Sequence, residues 1–159
     1  MKKETVTCPE IKLVGISVRT NNAKEMKPGT GLIPECIGKY FSNGVAEGID
    51  HRKNPQVTYC AYYDYENDHT GDYTFLIGEE VDSLETIPEG LTGCTIEAQN
   101  YIKHTSEPGP MPQVVINMWQ QIWTQNLGAE RSYKGDFELY DARAMDPQDT
   151  VVDIYIGVE

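Results

Sequence analysis

Asp136-Phe137-Glu138-Leu139-Tyr140-Asp141 and Val151-Val152-Asp153-Ile154-Tyr155-Ile156-Gly157-Val158, joined through Asp146-Pro147-Gln148-Asp149, decide the fold. Both runs alternate apolar and polar residues, the period of a half-buried strand, and the Pro/Asp-rich connector reads as the turn of a hairpin. Strand alternation groups Phe137, Leu139, Val152, Ile154, Ile156 and Val158 on one face. Glu138, Tyr140, Asp153 and Tyr155 then share the other. Two carboxylates and two phenols backed by an apolar face suit a cationic, aromatic molecule. Alternation says which residues travel together; it does not say which group turns inward.

The same plan occurs earlier in the chain. Val57 to Tyr65, a turn through Asn67-Asp68-His69-Thr70-Gly71, and Tyr73 to Glu79 form a second hairpin pattern. Cys60-Ala61-Tyr62-Tyr63-Asp64 lies over Phe137-Glu138-Leu139-Tyr140-Asp141, and Leu76-Ile77-Gly78 over Tyr155-Ile156-Gly157. Each hairpin follows a helix-like segment, and each such segment follows a strand. The first helix is expected from about Leu32 to Phe41, with Ile33, Ile37 and Phe41 on one stripe and Asn43-Gly44 as its stop. The second starts near Pro112 and stops at Leu127-Gly128. The strands ahead of them are Ile11 to Arg19 and a strand within Thr92 to His104. The expected fold class is therefore α+β: tandem duplicated β-α-β-β units, about 6–81 and 91–159, joined near Ile87-Pro88-Glu89-Gly90-Leu91. They would form one pseudo-twofold domain over 1–159, with antiparallel sheets around a central cleft.

With 159 residues and 39% hydrophobic content, the chain can build one sizeable core shared by both units. Met1 to Glu10 carries two lysines but no apolar run, and no stretch approaches membrane-spanning length, so a cytoplasmic protein is expected. Cys8, Cys36, Cys60 and Cys94 are widely spaced, which argues against a zinc site and a redox pair; no metal and no cofactor is expected. The net charge is −12, from 25 acids against 13 bases that form no stripe. Nucleic acid is then not expected as a direct partner, since phosphate contacts need concentrated positive charge.

Plotted at about 100° per residue, Met111 to Leu127 gathers Asn117, Gln120, Gln121 and Thr124 on one side. Its apolar arc is roughly 220°, about twice what one sheet face requires. Such a helix must touch a second surface, and Trp119 and Trp123 stand together on its flank. One tryptophan is expected in the core and the other, Trp119 for preference, beside a pocket where it can offer a π-face to a cation.

The β-α-β-β duplication, the Trp-bearing helix, the Phe-Glu-x-Tyr-Asp strand at 137–141 and the terminal Val-x-Ile-Tyr-Ile-Gly-Val strand together resemble the GyrI-like small-molecule-binding domain. So do Asp64-Tyr65, Gly71-Asp72-Tyr73-Thr74-Phe75-Leu76-Ile77-Gly78 and Ile87-Pro88-Glu89-Gly90-Leu91. This is the effector-binding module of AraC-type and MerR-type multidrug regulators, known also as a stand-alone protein. The resemblance implies two sheet halves curving around a cleft with both helices outside the strands, and Glu138 facing bound lipophilic cations. It places Asp153 and Tyr155 at the family's last-strand acid and tyrosine. By the pairing of the halves, Ala61 is symmetric to Glu138, with Tyr59 and Tyr63 beside it. The expected ligand-binding set is thus Glu138, Tyr59, Tyr63, Trp119, Tyr140, Asp153 and Tyr155.

No helix-turn-helix fits ahead of Ile11, so the expectation is a module without its own DNA reader. It would sequester a lipophilic cationic small molecule or report its presence to a separate regulator protein, with no nucleic-acid or membrane partner. Catalysis is the main alternative, with Glu138 as the acid/base of a hydrolase of reactive small molecules. Binding is favoured, because the chain has no Gly-x-Ser-x-Gly elbow, no Ser/His/acid set and no metal-ligand cluster, and His51, His69 and His104 sit in polar or strand-end sequence. A third class, a protein that inhibits a DNA-acting enzyme such as gyrase through its acidic surface, accords with the charge alone.

Overall fold

The computed structural model describes residues 1–125 and 130–159. Eight antiparallel strands make one sheet: β1 Lys2–Cys8, β2 Ile11–Thr20, β3 Thr58–Tyr63, β4 Tyr73–Glu80, β5 Thr92–Ile96, β6 Gln99–Thr105, β7 Asp136–Tyr140 and β8 Asp153–Val158. Their spatial order is β1-β6-β8-β7-β3-β4-β2-β5. The arrangement β7-β8-β6 repeats β3-β4-β2 outward from the centre, so the two β-α-β-β units are related by a pseudo-twofold axis between β3 and β7. Each unit is also led by a strand the periodicity did not separate. β1 pairs with β6 of the second unit and β5 with β2 of the first, so the leading strands are exchanged between the halves.

Three helices accompany the sheet: α1 Asn22–Met26, α2 Ile33–Ser42 and α3 Gln113–Thr124. The Asn21 side chain caps α1 by accepting from the Lys24 N–H at 2.8 Å. α2 has no such side chain at its own start. Instead the Glu25 carboxylate accepts the Leu32 and Ile33 amides at 2.8 and 3.1 Å, satisfying donors at the positive end of the helix. α2 ends at Asn43 and a left-handed Gly44, the stop expected from sequence. Its buried line is Cys36 and Tyr40, not the expected Ile33–Ile37–Phe41 stripe, and Phe41 is 65% exposed. The rotation is set by the Tyr40 hydroxyl, which donates to buried Glu79 at 2.8 Å. α3 buries Val114, Met118 and Ile122, and Gln125 beyond it is extended. The expected stop at Leu127-Gly128 lies outside the described residues.

The sheet has two differently covered faces. On one, the core is made by strands alone: Ile11, Leu13, Tyr59, Ala61, Leu76, Ile96, Tyr101 and Phe137 pack together as the two ends of the sheet curl toward each other. The other carries both longer helices. α2 covers Cys60, Tyr73, Phe75 and Ile77, and α3 covers Val152, Ile154 and Ile156. The helices therefore wall the central cleft on one face of the sheet, where an arrangement with both helices outside the strands was expected. A broadly apolar α3 forces this, because its second apolar surface has to face something other than water.

Candidate functional site

The register of the central strands decides which side chains meet between α2 and α3. Cys60 lies opposite Glu138, and Tyr62 opposite Asp136. Glu138 lies opposite Ile154, and Phe137 opposite Tyr155. Asp136, Glu138 and Tyr140 therefore share the helix-covered face with Tyr62 and Ile154. Phe137, Leu139, Tyr59, Tyr63, Asp153 and Tyr155 share the other.

On the helix-covered face is a cavity of about 510 Å³, open to solvent and lined by Tyr62, Tyr65, Tyr73, Phe75, Glu138 and Tyr140 from the strands and the turn between β3 and β4. Ile33 and Ile37 of α2 form one wall, and Val115, Ile116, Trp119 and Trp123 of α3 the other. Trp119 and Trp123 ring centroids are 6.2 Å apart, and Tyr62 meets Trp119 edge-on at 5.2 Å. Trp119 borders the Glu138 end; Trp123 is 42% exposed at the rim.

Glu138 is the chemical centre of this cavity. Its carboxylate, 3% exposed, accepts hydrogen bonds from the Tyr62 hydroxyl at 2.6 Å, the Trp119 indole N–H at 2.7 Å and the Tyr140 hydroxyl at 2.5 Å. Burial pushes its pKa above the ordinary glutamate value, while the three donors pull it back. Burial, together with the adjacent negative charge, holds the Tyr62 and Tyr140 phenols well above their usual pKa, so both remain neutral donors. Among the described residues no lysine, arginine or histidine forms an ion pair with Glu138. A buried carboxylate held only by neutral dipoles keeps its charge uncompensated.

A second buried acid stands beside it. Asp136 is fully buried and accepts from Tyr65 at 2.5 Å, from Arg131 Nη2 at 2.6 Å and from the Gly157 amide at 2.7 Å. The Arg131 guanidinium lies over the Tyr133 ring, 4.5 Å from its centroid.

Of the seven residues expected at the site, the structure brings Glu138, Trp119 and Tyr140 together. Tyr59, Tyr63, Asp153 and Tyr155 are on the strand-only face. Tyr59 donates to Glu80 at 3.2 Å, and Tyr63 packs against the same core. Tyr155 stacks on Phe137 at 4.4 Å, with the Lys103 ammonium 5.7 Å from its ring centre. Asp153 is held by Arg143 at 2.5 Å and Thr105 at 2.7 Å. Two one-residue slips explain the difference. With Ile77-Gly78 matched to Ile156-Gly157, the ladders Tyr62–Phe75 and Glu138–Ile154 make Tyr62, not Ala61, the counterpart of Glu138. The hairpin of β7 and β8 likewise pairs Glu138 with Ile154 rather than aligning the acids. The sequence reading missed Tyr62, Tyr65, Tyr73, Asp136 and Arg131. Alternation from Glu138 could have supplied Asp136; nothing in the sequence pointed to Arg131.

The family model described as Cass2, integron-associated effector binding protein, matches residues 4–158. The chain belongs to this family. A Cass2 integron cassette protein from the mobile metagenome of Vibrio cholerae superposes with a TM-score of 0.79 at 27% identity, covering 99% of this chain and 95% of that one. YobU of Bacillus subtilis (strain 168), named as a candidate transcriptional regulator protein, is 29% identical over 148 residues, 93% of this chain and 92% of its own. A structure of SAV2435 bound to tetraphenylphosphonium shares the fold, with a TM-score of 0.78 at 16% identity over 100% of this chain and 94% of that one. Cass2 membership agrees with the GyrI-like resemblance of the sequence and makes this a small-molecule effector-binding domain.

Proposed function

We propose that the chain binds lipophilic organic cations in the cleft between α2 and α3, with Glu138 as the charge partner and Tyr62, Tyr140, Trp119 and Trp123 as walls. The observation that carries this reading is the Glu138 carboxylate, buried in an aromatic cavity with three neutral donors and, among the described residues, no cation. A desolvated organic cation supplies the missing charge, and aromatic faces supply apolar contact and cation–π attraction to it. Tetraphenylphosphonium, the ligand bound to SAV2435, is a lipophilic cation of the kind such a cavity would take. In this reading the module senses or sequesters the cation and acts through a separate regulator protein. The three donors already engage the carboxylate lone pairs, which disfavours Glu138 as a general base.

Titration with tetraphenylphosphonium, followed by quenching of tryptophan fluorescence, tests the proposal. Saturable quenching with the ligand recovered intact is expected, together with a higher melting temperature by mass action. A neutral tetraphenyl analogue binding as tightly as the cation would remove the role of charge. Turnover of a reactive substrate would favour the hydrolase reading, and the absence of both would leave only an interaction role.

A further inference from the structure

We infer that Arg131 sets the charge of the ligand: by neutralising Asp136 it leaves Glu138 as the one uncompensated acid of the cleft among the described residues, which then selects monocations over dications. This rests on the cation-binding reading above.

Two carboxylates, Glu25 and Glu138, line the cleft, and a third, Asp136, lies behind its wall. Glu25 at its rim is engaged by the Thr20 hydroxyl at 2.6 Å and by the two amides at the start of α2, where the helix dipole offsets its charge. Asp136 lies on the same strand face as Glu138, two residues away, or about 7 Å along the strand. It has no exposed surface: Arg131 and Tyr65, which bond to it, line the cavity in its place. The cavity wall at that end is therefore a guanidinium rather than a carboxylate. His69, the other basic side chain of the lining, lies at the same end, 3.4 Å from the Tyr133 hydroxyl. One end of the cleft thus offers a negative charge with no cationic partner and the other a positive group already paired. A ligand with a single cationic centre matches both ends. A dication of the same size directs its second charge at Arg131 and finds no free carboxylate, and an unmatched charge in a desolvated site is strongly disfavoured.

The comparison that reads this is 1-methyl-4-(4-methylphenyl)pyridinium against methyl viologen, which share shape and size and differ by one charge, titrated by calorimetry at pH 8. The parent protein is expected to bind the monocation on the order of tenfold or more tightly than the dication, the scale of one desolvated charge interaction. In Arg131→Met, Asp136 is uncovered, and the preference is expected to shrink to within about threefold or to reverse. In the double variant Arg131→Met, Asp136→Asn the second buried charge and its partner are both gone, Glu138 again stands alone, and the monocation preference is expected to persist; this arm decides the matter if the single variant fails to fold. Equal affinity of the parent for both probes overturns the inference while leaving cation binding intact. An unchanged ratio in a folded Arg131→Met, or loss of preference in the double variant, also overturns it. Failure of the parent to bind either probe removes the cation-binding reading along with it.

Discussion

At the scale of single residues, the site depends on a conflict inside one side chain. Glu138 is buried, which favours the protonated acid, yet it accepts three hydrogen bonds, which favour the anion. The proposed cation binding requires the anion. Affinity for a cationic ligand is therefore expected to fall as pH drops through the raised pKa of Glu138, with a midpoint above the ordinary glutamate value of 4.5, measurable by calorimetry across a pH series. Tyr62→Phe removes one donor that stabilises the anion, so its midpoint should move to higher pH than the parent's. A Tyr62→Phe profile superimposable on the parent's would show that this phenol does not tune the carboxylate. Glu138→Gln keeps the side-chain size and removes the charge. It should weaken a cation by roughly 1.5–3 kcal/mol, ten- to a hundredfold, while leaving a neutral aromatic ligand nearly unaffected. The folded-state pKa lies above the unfolded one, so ionised Glu138 opposes folding at neutral pH. The Gln variant is expected to melt no lower than the parent in the absence of ligand. By contrast Tyr59→Phe, on the opposite face, should not change affinity. The identity of Glu138, Tyr140 and Trp119 was legible from alternation, helical phase and resemblance. Tyr62 was not, because choosing between Tyr59, Tyr62 and Tyr63 depends on a register that differs by a single residue.

At the scale of elements, the Ile-Gly landmarks that suggested the duplication have a steric reason. Gly15 and Gly78 are register partners on β2 and β4, and a Cβ added to Gly78 would fall 2.2 Å from the Val14 carbonyl oxygen. A Cβ on Gly15 would meet the Ile77 carbonyl oxygen at 2.0 Å. In the other half, a Cβ on Gly157 would lie 2.7 Å from the Gly135 carbonyl oxygen. These are backbone contacts that no rotamer change relieves. Gly78→Ala should cost about 2 kcal/mol or more, as for overpacking of a filled interior, and a urea midpoint equal to the parent's would show that the strands separate without penalty. Strand positions and the start of α3 follow from composition and period. The rotation of α2 does not, because Tyr40 turns inward to reach Glu79, a residue 39 positions away. The exchange of β1 and β5 between halves is equally long-range. Each is a short strand whose local sequence is satisfied by any suitable edge.

For the whole molecule, His104, read from sequence only as a strand-end residue, proves to be a core residue. His104 on β6 has no exposed surface, neither ring nitrogen makes a well-formed hydrogen bond, and it sits opposite Ile154 and beside Lys3 of β1. Burial first, and then the Lys3 charge, lower its pKa below the ordinary 6.5; weak backbone contacts from Ile154 and Ile102 act in the opposite sense. The folded state therefore holds it neutral, while the unfolded chain takes up a proton below about pH 6.5. Stability from this group is full above that value and is lost as pH falls toward the depressed folded-state pKa. Urea unfolding at pH 7.5 and 5.5 should show a larger acid loss for the parent than for His104→Phe, and equal losses would assign the acid sensitivity elsewhere. The sequence by itself determined the α+β class, the tandem repeat, the acid at the centre of the site and the aromatic helix beside it. The class, the repeat and the aromatic helix rest on local periodicity and residue chemistry, which act within one element at a time; the choice of Glu138 rests on the family resemblance, because alternation leaves the inward face open. Only the tertiary structure decided that both helices stand on one face of the sheet, that Tyr62 rather than Tyr59 or Tyr63 reaches Glu138, that Asp153 and Tyr155 turn away, and that Arg131 covers Asp136. Each of these follows from strand register or from contacts between distant segments, and a period-two pattern is unchanged in appearance when its register slips by one residue and every side chain moves to the other face.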